Sequence, residues 1–375
     1  MKRNRSVILV FLALILGIVI SYRLFLQDRL HLYLQEKRAM EMMDRLGAGI
    51  NIGNDLDVYG VSQYKDNPSV TDYETFWNNV PATQELFSCI YGAGFRSVRI
   101  PVTWSDHLDA QGRIDPEFMD RVTEVVNMAL KEKLYVILDT HHENFILPTY
   151  AGEKESTEKL VGLWQQIAEN FASYDERLMF EGMNEPRYIG SDEEWTDGNE
   201  ELRTVVNHMN RAFVETVRKS GGNNDTRYCL IGAYATSSKK HALENLDPIE
   251  EDKHIIISVH AYLPRKFIDN EKGKETFKEH EESYTGDIIE LKESLQKYFL
   301  GKRIPVVITE YGCQEKEDEE QRIAWAEYFV GTFADIGVPT MWWDDGSDYK
   351  IIDRERCTSS KPKLVTTIVR YYLNK

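Results

Sequence analysis

Cysteine is scarce in this chain: four thiols in 375 residues, at Cys89, Cys229, Cys313 and Cys357. They lie far apart, form no C-x-x-C pair and stand at no His-Cys ligand spacing. That argues against a disulfide-stapled scaffold or a zinc module, and scattered thiols of this kind are expected to be free. Basic charge is in deficit as well. Lys and Arg number 45 against 62 Asp and Glu, a formal net charge of −17. A nucleic-acid binder needs a basic face to displace counterions from phosphate, so that class is disfavoured. No low-complexity tract, P-loop or G-x-G-x-x-G is present, which weakens a doubly wound nucleotide-binding sheet. What remains is an ordinary globular composition, 42% hydrophobic and 29% charged, in a chain long enough to bury a large core without staples.

The one strongly apolar stretch is at the start. Met1-Lys2-Arg3-Asn4-Arg5 is basic, and an apolar run follows from Val7 to Ile20. A basic flank before a short apolar run reads as a signal peptide or a signal-anchor, here assigned to residues 1–26. Residues 27–46 read as a helical lead-in or stalk. Either reading puts the bulk of the protein outside the cytoplasm, in contact with the membrane if the segment stays uncleaved.

From Gly47 onward, short apolar runs alternate with amphipathic helical patterns. Strands are expected at Gly49–Ile52, Ser97–Ile100, Leu134–Asp139, Leu178–Glu181, Tyr228–Ile231, Ile255–Val259, Val306–Thr309 and Thr340–Trp343. Between them, Asp115-Pro116 offers an N-cap and a first-turn proline for a helix whose apolar stripe is Val122, Val125, Val126 and Ala129. Runs that are apolar throughout belong in a sheet covered on both faces. Eight β–α alternations allow closure into a (β/α)8 TIM barrel, assigned to residues 47–375. The charged stretch from Leu263 to about Gly286 reads as a loop insertion after the sixth strand.

Polar clusters fall at the C-terminal ends of these apolar strands. Arg99 follows Ser97-Val98; Asp139-Thr140-His141-His142-Glu143 ends the third strand; Asn184-Glu185-Pro186 follows the fourth. His260-x-Tyr262, Glu310-Tyr311-Gly312 and Trp342-Trp343 end the last three. In a barrel all of these converge on the face where active sites lie. Glu185 and Glu310, after strands four and seven, supply the two carboxyls that glycoside hydrolysis needs: one neutral to protonate the departing oxygen, the other ionised. Arg99 would hold a neighbouring carboxyl ionised, Tyr262 would donate to that same carboxylate, and Asn184 would grip the sugar 2-hydroxyl. His141 and His260 suit orienting roles, and Trp343 offers a flat apolar face. Trp104, Tyr59, Tyr150 and Trp195 fall in loops as further ring-stacking candidates. His141-His142 with Glu143 and Asp139 raises a metal site, but successive strand residues point to opposite faces, so no metal is expected.

These residues together resemble glycoside hydrolase family 5, the cellulase-type enzymes. The matching stretches are Gly49–Asn54, Phe95–Trp104, Val136–Glu143, Glu181–Pro186, His260–Tyr262, Ile308–Gly312 and Trp342–Asp344, in the family's order. The resemblance implies a retaining, endo-acting β-1,4-glucanase without a cofactor, with Glu185 as acid/base and Glu310 as nucleophile. It implies supporting roles for Arg99, His141, His142, Asn184, His260, Tyr262, Trp343 and Asn54, a polysaccharide or oligosaccharide substrate, and no protein or nucleic-acid partner. The chain departs from the usual pattern at Asp55 and Asp345, each adding a carboxylate near the expected cleft. β-Mannan, xyloglucan and mixed-linkage glucan are alternative substrates, and a membrane-anchored, non-catalytic carbohydrate-binding protein is the rival from another class.

Overall fold

The computed structural model describes residues 2–269 and 275–373, with side chains from position 21 onward except 24, 28 and 31. Eight strands form the centre: β1 (Gly49–Ile52), β2 (Ser97–Ile100), β3 (Tyr135–Asp139), β4 (Leu178–Glu181), β5 (Cys229–Ser237), β6 (Ile255–His260), β7 (Val306–Tyr311) and β8 (Thr340–Asp344). They pair in parallel in chain order, and β8 closes onto β1. All eight expected strands are present. β5, β6 and β7 run further than their apolar cores, because Ser237 still pairs with His260, and His260 with Glu310. His260 and Glu310 therefore sit on strand backbone at the mouth rather than on free loops.

Helices such as Pro116–Lys131, Glu153–Asn170, Glu200–Lys219 and Glu319–Ala334 surround the strands. Asp115 caps the first of these, accepting from the Glu117 N–H with Pro116 in the first turn, as its sequence predicts. The stretch after β6 carries a short helix at Arg265–Ile268 and joins a longer one at Glu282–Tyr298; Glu271 and Lys272 lie outside the described residues. Among the described residues the four cysteines are free.

Side chains alternate along a strand, so every second one enters the lumen. Val98, Val136, Leu138, Phe180, Ile257 and Ile308 face outward into the helix-packed core. Ile137, Met179, Leu230, Ile256, Val307 and Met341 fill the lower lumen as one apolar cluster. One step up each strand, the same parity gives Asn51, Arg99, Asp139, Glu181, Ser258 and Thr309, all buried and polar. The lumen thus changes from oil to hydrogen bonds on its way to the mouth.

The lower end is closed by the N-terminal helix, Lys2–Leu46. Ala39, Met42 and Leu46 from its last turns join the lumen cluster, and the Val306 N–H donates to Met43 Sδ at 3.1 Å. The segment expected as a lead-in therefore ends as the floor of the barrel. The apolar run at positions 7–20 lies outside the residues whose side chains are described. Among the described residues no helix is long and apolar enough to cross a membrane.

Candidate active site

Glu185, past the end of β4, and Glu310, on β7, meet across the mouth. A carboxylate oxygen of each lies within 4.8 Å of the other, with a ring nitrogen of His260 between. His260 Nδ1 is 2.9 Å from Glu185 Oε1 and 3.5 Å from Glu310 Oε2. Glu310 faces the mouth because of a backbone irregularity. Thr309 already points inward and hydrogen-bonds Ser258, so strict alternation would turn Glu310 out. The register of β7 shifts against both β6 and β8 at this point, and such a bulge re-aims the side chain inward.

The two carboxyls are treated differently by their neighbours. Glu310 Oε1 accepts from Arg99 at 2.6 Å, and Oε2 accepts from the Tyr262 hydroxyl at 3.0 Å. Among the described residues the Glu185 carboxyl has only His260 and, at 3.4 Å, Arg187. Burial raises both carboxyls above the ordinary glutamate range. On Glu310 the rise is opposed by His260, Arg99 and the Tyr262 hydrogen bond; on Glu185 it is opposed mainly by Arg187. Two carboxylates this close do not both ionise readily, so the pair holds one proton. The direct ion pair and the phenol donor favour charge on Glu310, leaving the proton on Glu185. Tyr262 stays a donor because burial and the Glu310 charge push its phenol well up. His260 is held neutral by burial.

Arg99 is fully buried beneath the pair. Besides Glu310, its guanidinium donates to Glu181 at 2.5 Å, Asn184 Oδ1 at 2.7 Å and Asn51 Oδ1 at 3.1 Å, and is ion-paired with Asp139 at 2.7 Å. Burial works against its charge, but Glu181, Asp139 and Glu310 more than compensate and raise its pKa. Asn184, with its oxygen held, turns its amide N–H group to the cleft. Asp139 also fixes His141, whose Nδ1 is 2.8 Å away.

The pair opens into a cavity of about 860 Å³ that Asn54, His141, His142, Asn184, Tyr262 and Trp343 also line. It adjoins a second cavity of about 390 Å³ bounded by Tyr59, His141, His142 and Ile189. Every residue assigned to the site from sequence therefore lies at this mouth or, for Arg99, directly beneath it. Trp343 stacks on His141, centroids 5.8 Å apart and planes 6° apart. Gly53 makes room for that ring, since a Cβ there would stand 2.6 Å from it. Asn79 ties the loops together, donating to the carbonyls of Asn54 at 2.8 Å and Asp345 at 3.0 Å.

Several loop expectations change. Trp104 is wholly buried, its indole N–H on the Asp139 carbonyl, so it supports β3 rather than facing sugar. Tyr150 is exposed but belongs to neither cavity of the cleft. Tyr59 and Trp195 do line the cleft. The carboxylates of the two departures bound neither cavity: Asp55 is buried behind the site, and Asp345 accepts from the N–H groups of Ser347 and Tyr349 in its own loop.

Arg187 carries no signal in the sequence beyond its place after Asn184-Glu185-Pro186. It contacts Glu185, bonds Glu194 at 3.3 Å and stacks its guanidinium on Trp195 at 4.1 Å. Glu194, in the acidic stretch Asp192-Glu193-Glu194, is thus committed to holding this arginine. The expectation that His141 and His142 point apart also fails. β3 ends at Asp139, so alternation no longer applies, and one ligating atom from each histidine and from Asp57 fall within 4.8 Å of one another.

A closed parallel barrel with a buried, unequally supported carboxyl pair at its C-terminal mouth defines a glycoside hydrolase of the retaining architecture. The family model for cellulase (glycosyl hydrolase family 5) matches residues 61–348. Endoglucanase A of Ruminococcus albus is 39% identical over 332 residues, covering 85% of this chain and 89% of that protein. Endoglucanase A of Clostridium longisporum is 37% identical over 348 residues, 90% of this chain; the chain spans 66% of that longer protein. A solved GH5-4 broad specificity endoglucanase from C. longisporum superposes with a TM-score of 0.84 at 36% identity, over 90% of this chain and 98% of that one. A xyloglucan-specific endo-β-1,4-glucanase from a metagenomic library, solved with cellotriose, gives 0.82 at 35% identity, over 89% and 99%. The chain belongs to glycosyl hydrolase family 5.

Proposed function

We propose that this protein is an endo-acting β-1,4-glucanase that retains anomeric configuration. The observation that carries the reading is the Glu185–Glu310 pair, with oxygens within 4.8 Å and only Glu310 ion-paired to Arg99. Oxygens that close leave no room for a water between carboxylate and sugar, unlike the separation of about 6.5–9.5 Å of inverting enzymes, and this favours the retaining geometry. Glu310 attacks the anomeric carbon while Glu185 gives its proton to the leaving oxygen. Water then replaces the Glu310 ester bond, and Glu185 takes the proton back. Asn184 meets the 2-hydroxyl, His141, His142 and Asn54 orient the sugar, and Trp343 supports its apolar face.

An endo mode is supported by the two cavities that meet at His141, His142, Asn184 and Glu185, since a chain can leave the reacting centre in both directions. β-1,4-Glucan is the preferred substrate because the relatives carry endoglucanase names. Xyloglucan is the second reading, favoured by the xyloglucan-specific relative. The N-terminal sequence supports an extracytoplasmic enzyme, with residues 1–26 as signal or anchor, 27–46 as lead-in and 47–375 as catalytic domain. Release of reducing ends from carboxymethyl cellulose, barley β-glucan, xyloglucan and mannan tests the assignment. Hydrolysis of at least one glucan, abolished in Glu310→Gln, is expected; hydrolysis of mannan alone, or of none, overturns it.

A further inference from the structure

We propose that Asp57, His141 and His142 form a binding site for a first-row divalent cation such as Zn2+, and that the cation and the glycan exclude one another. One ligand atom from each residue falls in a group whose members all lie within 4.8 Å of one another. Each of the three has a donor to spare. Asp57 is wholly buried; its Oδ1 accepts the Asp55 N–H at 2.8 Å, while Oδ2 has no partner among the described residues. His141 is held at Nδ1 by Asp139, which leaves Nε2 for a ligand. A carboxylate behind the far nitrogen is the usual support of a metal-binding histidine, because it fixes the ring and its tautomer. The His142 ring makes no hydrogen bond among the described residues; it meets Tyr59 and His141 edge-on, at 5.0 and 4.4 Å between centroids.

The donor chemistry selects the cation. Two neutral imidazoles and one carboxylate suit zinc and its neighbours, whereas calcium and magnesium require oxygen shells. Bonds of about 2.0–2.2 Å put tetrahedral ligand atoms about 3.4 Å apart, inside the 4.8 Å that bounds this group. His142, with no ring hydrogen bond to break, is the member that can move. All three residues line the cavity that Glu310 and Trp343 also line.

A second group of ligand atoms, on Glu185, His260 and Glu310, also lies within 4.8 Å of one another. It is the poorer site, because the Arg99 guanidinium 2.6 Å from Glu310 repels a cation and Arg187 stands beside Glu185. The same Asp57, His141 and His142 donors face sugar hydroxyls when glycan is bound, which makes cation and glycan competitors. Binding stands on the geometry alone, while inhibition rests on the glucanase reading.

Calorimetric titration of the full chain with ZnCl2, in the Glu310→Gln background, tests the site. One-site binding is expected, weakened at least ten-fold by Asp57→Asn and by His142→Ala, and displaced by cellotetraose. Asp57→Asn keeps the oxygen that accepts from Asp55, so it remains informative if His142→Ala does not fold. No binding at submillimolar Zn2+ overturns the proposal, as does undiminished binding in Asp57→Asn. Zinc binding present in the unsubstituted chain but lost in Glu310→Gln places the ion on the catalytic pair and also overturns it. If zinc binds as expected while no glucan is hydrolysed, the glucanase reading fails and the metal site stands.

Discussion

Arg99 stands 2.6 Å from Oε1 of Glu310, and neither side chain can withdraw from the other. The guanidinium is simultaneously held by Glu181, Asp139, Asn184 and Asn51, while Glu310 is pinned on its other oxygen by Tyr262. One cation therefore fixes the charge on the attacking carboxylate, the position of Asn184 and, through Asp139, the ring of His141.

Arg99→Lys tests this directly. A lysine keeps the charge but cannot reach all of these acceptors, so buried carboxylates lose partners. Breaking such a pair costs about 3–5 kcal/mol. Chemical denaturation should show a loss of that order, and kcat on a soluble glucan should fall at least a hundred-fold. A stable, active lysine variant contradicts the role given to the guanidinium fork.

Arg187 acts on the other carboxyl. It is the largest influence opposing the burial-driven rise of Glu185. In Arg187→Met that opposition disappears, so Glu185 holds its proton to higher pH. The alkaline limb of kcat/KM, where the acid loses its proton, should move up. The acid limb, where Glu310 becomes protonated, should move much less. An alkaline limb that stays in place or moves down refutes the assignment of Glu185 as the acid.

Gly53→Ala probes the sugar platform without touching a polar group. The added methyl meets the Trp343 ring at 2.6 Å, closer than real contacts allow. The ring must tilt away from its stack on His141. A loss of about ten-fold in kcat/KM is expected, equivalent to about 1.4 kcal/mol, with little change in melting temperature. Unchanged kinetics would mean that the ring orientation has no part in binding.

The strands and the residues at their ends were legible because a buried parallel sheet demands unbroken apolar runs, and polar residues at their C-terminal ends stand out against them. Glu185, Glu310, His141 and Trp343 were found on that basis. The layer beneath was not legible. Asn51, Glu181 and Ser258 are isolated polar residues in strands, and only the closed barrel shows that Asn51 and Glu181 hold Arg99 while Ser258 supports Glu181. The bulge that turns Glu310 inward is a matter of register between strands, which no single strand sequence encodes. Trp104 was misplaced because it follows a strand, yet the loop folds back and buries it. His141 and His142 were set apart by strand alternation that ends two residues before them. The floor formed by Ala39, Met42 and Leu46 was missed because a helix running on from an apolar N-terminus offers no internal boundary.

The division of labour between the two glutamates is tested most directly by azide rescue on an activated β-aryl glycoside. In Glu185→Ala the glycosyl-enzyme still forms on Glu310, and azide should displace it to give the β-glycosyl azide. In Glu310→Ala azide takes the place of the missing carboxylate and should give the α-glycosyl azide. NMR of the products distinguishes the two anomers. The reverse pattern, or the same anomer from both variants, contradicts Glu310 as nucleophile and Glu185 as acid/base.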